Sequence, residues 1–196
     1  MFKGYIPTKG KRPTESIKGR SKFYTLDEVK DLHEYGGVLD DNYIMVDVDD
    51  RVQSIILKQI LDDLEIKYHS LKTKRGMHFY FLNTNVQGNA IAVTTAVGIT
   101  VDIKIGTKNA VVPLKLEGVE RELIINDEVD PLPKFLTVVK RLPDFFNMEE
   151  GEGRNQTFFT YILKLQGHGF VKDEIRECIR LINDYILKDP LSKLEI

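Results

Sequence analysis

The sequence predicts an α+β protein, with a mixed or antiparallel sheet domain over residues 1–145 and a small helical module over residues 150–196. Three observations predict it. The runs Tyr43–Asp49, Met77–Leu82 and Ile99–Ile105 alternate apolar and polar side chains with the period of two that marks a strand. Between the first two runs, Val52, Ile55, Ile56, Ile60 and Leu64 recur at helical spacing. The last part of the chain shows helical spacing alone, with Phe158, Phe159, Ile162 and Leu165 followed by Ile175, Cys178, Ile179, Ile182, Tyr185 and Ile186.

At 196 residues and 42% hydrophobic content the chain can bury a substantial core, which excludes disorder throughout. Its formal net charge of −2 gives no bulk cationic signal, so polyanion binding has to come from local clusters. One cluster runs through Lys3, Lys9, Lys11, Arg12, Lys18, Arg20 and Lys22, opposed only by Glu15; a second comprises Lys67, Lys72, Lys74 and Arg75. The single cysteine, Cys178, falls on an apolar helical stripe, which argues for a buried reduced thiol and a cytoplasmic setting. The start Met1-Phe2-Lys3-Gly4 lacks the apolar core of a signal peptide, and no stretch is long and apolar enough for a membrane role.

Taken in order, residues Met1–Ser21 mix basic residues with glycine and proline and read as an irregular arm with a short strand at Phe2–Ile6. Thr25 with Glu28 forms a capping-box signature for a short helix that stops at Gly36-Gly37. The strand Tyr43–Asp49 then runs into a helix from about Arg51 to Leu64, with Asp50 placed to cap it. Ile66–Leu71 and Met77–Leu82 flank the basic, glycine-containing link Lys72–Gly76 and read as a hairpin. Asn83–Gly98 supports either a helix or a strand at Ala90–Val97. Strands are expected again at Ile99–Ile105, Asn109–Leu116 and Glu122–Ile125, then a linker helix at Lys134–Arg141 and an acidic, glycine-rich hinge at Glu149–Gly153.

The first strand ends in Asp47 and Asp49, which alternation places on one face. Two carboxylates that close repel, and a divalent cation between them removes the repulsion and provides a Lewis acid. The polar face of the second strand carries His78 and Tyr80, and that of the third carries Asp102 and Lys104. If the three strands share a sheet, these faces coincide. Three aspartates with phosphate-seeking cations suit nucleotidyl transfer by two divalent ions, Mg²⁺ or Mn²⁺, held roughly 3.5 to 4 Å apart. Arg75, Lys74 and His78 are candidates for triphosphate oxygens. Tyr80 shares His78's face and reads as a packing residue.

These residues resemble the archaeo-eukaryotic primase superfamily, and within it the bifunctional primase-polymerase domains of phages, plasmids and mobile elements. The resemblance rests on Asp47 with Asp49, on Arg75-Gly76-Met77-His78-Phe79-Tyr80-Phe81, and on Val101-Asp102-Ile103-Lys104-Ile105-Gly106 followed by Val111-Val112-Pro113. Lys11 with Pro13 and Leu132-Pro133-Lys134-Phe135-Leu136 extend it. Gly153-Arg154-Asn155-Gln156-Thr157-Phe158, Gly167–Gly169, Asn183 and Pro190-Leu191 resemble the helical module that often follows such domains. The second motif departs from the family's frequent serine or glycine pair, since Lys74-Arg75-Gly76 precede Met77.

The resemblance implies a sheet-based catalytic domain of primase type with Asp47, Asp49 and Asp102 as catalytic metal ligands and His78 on the incoming nucleotide. Arg75 and Lys104 are expected on nucleotide phosphates, and Lys11, Arg12, Lys74 and Arg154 on nucleic acid. It further implies nucleoside triphosphates and a single-stranded DNA template as partners, a replicative helicase in cis or in trans, and a bacterial or archaeal host cell with the gene on a phage or plasmid. Two other readings stay open. One is a replication-associated single-stranded DNA-binding module without turnover; the other is a metal-dependent sugar-nucleotide glycosyltransferase, which leaves Asp102 and His78 unexplained.

Overall fold

The computed structural model describes residues 1–149, 151 and 153–191, and shows an α+β chain built on two antiparallel sheets. The strands are β1 (Phe2–Lys9), β2 (Arg12–Pro13), β3 (Tyr35–Leu39), β4 (Tyr43–Val48), β5 (His69–Lys72), β6 (Met77–Leu82), β7 (Ala90–Thr94), β8 (Thr100–Ile105), β9 (Val111–Leu116), β10 (Val119–Glu120) and β11 (Leu123–Ile124). The helices are α1 (Leu26–Val29), α2 (Arg51–Asp63), α3 (Arg154–Gly167) and α4 (Lys172–Leu181). One sheet has the order β10-β9-β3-β1-β2; the other has the order β11-β5-β6-β4-β8-β7. No helix among the described residues is long and apolar enough to cross a membrane.

The three alternating runs form the centre of the six-stranded sheet, because their β-branched and aromatic residues fit a pleated surface buried on both sides. On one side Val46, Val48, Phe79, Phe81, Val101 and Ile103 pack against Leu57, Ile60 and Leu61 of α2 and against Phe158, Tyr161, Ile175 and Cys178 of α3 and α4. The helical pair thus shares the main core with the sheet. Tyr161 Oη donates to Ala96 O at 2.9 Å, which ties α3 to the turn before β8. A second apolar cluster joins the two sheets, with Met45, Leu71 and Tyr80 against Tyr35, Leu39, Val112 and Leu114.

Several expectations are corrected. The amino-terminal segment is an ordered strand inside the five-stranded sheet, pairing with both β2 and β3. Gly36 and Gly37 lie within β3, where they do not end a helix; a Cβ on Gly36 would stand 2.9 Å from Val112 O, and one on Gly37 would stand 2.6 Å from the Phe2 ring. They are bare so that neighbouring strands can close over them. On α2 the buried face is Ser54, Leu57, Ile60 and Leu61, while Val52 and Ile55 are exposed. On α3 Tyr161 replaces Phe159 in the core. The expected helix Lys134–Arg141 is a single 3₁₀ turn at Lys134–Leu136, after which Val138 bridges to Thr95 and Val139 N donates to Thr94 O. The ambiguous stretch Ala90–Val97 opens with the edge strand β7, and within the expected hinge Glu149–Gly153 the residues Glu150 and Glu152 lie outside the described residues.

Candidate active site

The ladder of the six-stranded sheet sets one row of side chains. Asp47 pairs with His78 on one side and with Asp102 on the other, and His78 pairs in turn with Leu71. Directly opposed residues in antiparallel strands point to the same face. The next row along places Tyr80, Met45 and Lys104 on that face. This face is covered by the five-stranded sheet at Met45 and Tyr80, and opens at Asp47 into a cleft of about 200 Å³. The cleft is lined by Asp47, His78 and Lys104 from the six-stranded sheet, by Val111 and Pro113 from β9, and by Asp49, Lys11, Thr73, Lys74, Arg75 and Arg121 around its mouth.

Two turns carry the basic rim. Gly10 and Lys11 form the two-residue link of the β1–β2 hairpin with φ of 55° and 70°. That is the left-handed backbone that a tight hairpin requires, and it is costly for a lysine. In the β5–β6 turn, Thr73 Oγ1 accepts from Gly76 N at 2.9 Å, and Thr73 N donates to Gly76 O at 3.0 Å. Gly76 is buried where a Cβ would stand 1.8 Å from Val48 O, so only glycine lets this turn settle against the end of β4. Lys74 and Arg75 are thereby held over the acidic pair, and Arg75 forms an exposed ion pair with Asp49.

Asp47 is 9% exposed, and its Oδ1 has no hydrogen-bond partner among the described residues. His78 Nε2 lies 3.4 Å from that oxygen and Lys104 Nζ lies 3.9 Å from Oδ2. Burial, aided by the charges of Asp49 and Asp102, pushes the Asp47 carboxyl up to about 6 against the pull of Lys104 and Arg121. Burial pushes His78 down to about 3, with Arg121, Lys104 and Lys11 adding to the shift, so its imidazole is neutral at neutral pH. His78 Nδ1 is 3.1 Å from the hydroxyl of fully buried Tyr80. Burial raises the Tyr80 hydroxyl well above its ordinary range, so it keeps its proton. Among the described residues the Tyr80 hydroxyl has no other acceptor, so donation to Nδ1 assigns the imidazole N–H to Nε2, on the side of Asp47.

An unpartnered buried carboxylate oxygen beside two other carboxylates fits a cation. Asp47 and Asp49 could hold one, with water completing the shell as Mg²⁺ prefers. Asp102 sits across the ladder from Asp47, and its Oδ1 accepts from Ala92 N at 2.8 Å. Among the described residues no group of three or more His, Cys, Asp or Glu side chains is arranged to hold a metal ion. The carboxylates are partly engaged, Asp49 by Arg75 and Asp102 by the β7 backbone.

The structure brings Lys11, Asp47, Asp49, Lys74, Arg75, His78 and Lys104 to one cleft, with Asp102 adjoining. Arg12 lies on β2 and does not line it, and Asp50 caps α2 by accepting from Gln53 N at 2.8 Å. Arg154 begins α3, whose core side packs on the opposite face of the six-stranded sheet, and its guanidinium donates to Asp189 O. Sequence reasoning missed Arg121, which lines the cleft from the link between β10 and β11. No motif marks it; only its place between two short strands gives it a role. A roomier cavity of about 670 Å³ lies near the end of α2, but its lining pairs Lys58 and Lys67 with Asp62, Glu65, Asp127 and Glu128 and so carries no cationic excess.

No protein-family model matches the sequence, and no curated protein matches it.

Proposed function

We propose that the chain is a DNA primase or primase-polymerase of archaeo-eukaryotic primase type, joining nucleotides on a single-stranded DNA template in phage, plasmid or mobile-element replication. The observation that supports it best is the charge layout of the cleft: five cations, Lys11, Lys74, Arg75, Lys104 and Arg121, surround Asp47 and Asp49 on a chain whose net charge is −2. A carboxylate pair under a cationic rim suits a substrate that brings both a divalent ion and a polyphosphate.

In this reading Asp47 and Asp49, with Asp102 beside them, hold Mg²⁺ or Mn²⁺, which would supply Lewis-acid activation of a primer 3′-hydroxyl and charge relief for leaving pyrophosphate. His78 donates its Nε2–H to a phosphate oxygen or to Asp47, and Tyr80 fixes the ring so that this proton is always presented. Lys104 and Arg75 neutralise phosphate charge, Lys11 and Lys74 follow template phosphates along two turns at the rim, and Arg12 on β2 would meet them just outside the cleft. The helical pair backs the sheet, so template contact by Arg154 would need a strand that wraps around the molecule. A helicase in cis or in trans would supply the unwound template.

The Arg75–Asp49 ion pair favours a second reading, a single-stranded DNA-binding module in which an arginine permanently takes the cation's place. Incorporation of labelled nucleotides on single-stranded DNA, with Mg²⁺ or Mn²⁺ and with or without primer, separates the readings. Template-dependent product that Asp47→Asn abolishes supports nucleotidyl transfer. DNA binding without product supports the module, and sugar-nucleotide turnover without DNA binding supports a glycosyltransferase.

A further inference from the structure

Three segments carry the chain between the two sheets: 40–42, 106–110 and 121–122. The last is the shortest, and its first residue is Arg121. Its backbone N donates to Leu114 O of β9 at 2.8 Å, and Lys72 N of β5 donates to the neighbouring Glu122 O at 3.2 Å. The Arg121 side chain repeats the link. Its Nη1 donates to Pro113 O at 2.7 Å and its Nη2 to Lys72 O at 3.3 Å, so one guanidinium joins the five-stranded sheet to the six-stranded sheet.

These two acceptors are next to the cleft. Pro113 lines its β9 side, and Lys72 immediately precedes the turn that holds Thr73, Lys74 and Arg75. The guanidinium is planar with fixed donor directions, so two carbonyls bound to it are held at a fixed separation. A lysine ammonium on a flexible stem carries the same charge without that constraint. The bond to Pro113 O is half-buried, so water replaces that donor poorly if it is lost, while the bond to Lys72 O is exposed.

We propose that Arg121 is a positioning residue that sets the width of the cleft, by bridging Pro113 of one sheet and Lys72 of the other. Its effect is on the spacing between the β9 wall and the basic β5–β6 turn, and hence on how tightly the rim closes on a polyphosphate. The spacing claim stands apart from the chemistry; its consequence for turnover rests on the nucleotidyl-transfer reading.

The test uses spin labels on cysteines introduced at exposed Lys9, the last residue of β1, and at exposed Lys67, just ahead of β5, with buried Cys178 shielded from labelling. Distances are measured by pulsed electron resonance in the parent protein, in Arg121→Lys and in Arg121→Ala, each shown to be folded by circular dichroism. Binding of Mn²⁺ with inorganic pyrophosphate is titrated on the same proteins. The expected result is a longer and broader distance distribution in both variants, with pyrophosphate affinity lowered about tenfold or more by Arg121→Lys despite its retained charge. If Arg121→Ala does not fold, Arg121→Lys decides alone. An unchanged distance distribution in Arg121→Lys overturns the proposal, as does full retention of pyrophosphate affinity in that variant. A parent protein that binds no pyrophosphate would count against the nucleotidyl-transfer reading, while the distance distributions would still decide the spacing claim.

Discussion

Asp47 and His78 face each other across β4 and β6 with 3.4 Å between Oδ1 and Nε2, yet they do not form a charged pair. The imidazole is neutral because it is buried among Arg121, Lys104 and Lys11. The carboxyl is raised because it is buried beside Asp49 and Asp102. Each residue is unsettled by its own surroundings, and a cation with a phosphate would satisfy both.

Asp47 costs stability when ionised. Its pKa rises from 3.8 to about 6 on folding, so the folded state binds the proton more tightly and stability falls as pH rises from about 4 to 6. Asp47→Asn removes that loss. Without divalent ions it should be more stable than the parent at pH 8, by up to about 3 kcal/mol, and the difference should shrink toward pH 4. Urea unfolding at the two pH values measures it; equal stability at pH 8 would mean the carboxylate is already satisfied.

His78 acts in the opposite sense. Its pKa falls from 6.5 to about 3 on folding, so the unfolded chain takes up the proton first and stability is lost as pH drops from 6.5 toward 3. His78→Gln should flatten this acid branch. In the parent, nitrogen NMR at pH 7 should show the proton on Nε2 alone, and Tyr80→Phe should mix the tautomers. A protonated Nδ1 in the parent would reverse the assigned direction of the Tyr80 hydrogen bond.

In the nucleotidyl-transfer reading, Arg75 competes with a cation for Asp49. Because the pair is exposed, its strength is modest, on the order of 0.2 to 1 kcal/mol. Arg75→Ala should therefore tighten Mn²⁺ binding by about 1.4- to 5-fold while weakening binding of a nucleoside triphosphate. Electron resonance of free Mn²⁺ measures the first effect. Weaker Mn²⁺ binding in the variant would show that Arg75 does not occupy the cation's place.

Gly76 seats the basic turn. A Cβ there would meet Val48 O at 1.8 Å, so Gly76→Ala must shift either the turn or the end of β4. It should cost at least about 2 kcal/mol of stability and displace Lys74 and Arg75 from the acidic pair. Thermal unfolding with amide shifts at Val48 and Asp49 would report both.

The strands that bear the acidic, histidine and lysine residues were legible because alternation alone assigns their faces, and the ladder register then brings Asp47, His78 and Asp102 into one row. The capping box at Thr25 and the cap at Asp50 were legible for the same local reason. What was not legible depends on distant partners. Gly36-Gly37 has the appearance of a helix stop until Phe2 and Val111 close over it. Val52 and Phe159 fit an apolar stripe, but the direction from which the sheet approaches leaves them exposed. Arg121 carries no motif, and its importance arises only when two sheets meet at its side chain.

The most direct test is a crystal structure with Mn²⁺ and a non-hydrolysable nucleoside triphosphate, read by anomalous scattering. The cleft should show manganese on Asp47 and Asp49, with Arg75 released from Asp49 and the phosphates under Lys104, His78 and the basic rim. Manganese absent from Asp47, or a nucleotide bound away from this cleft, would contradict the assignment of these residues as the catalytic centre.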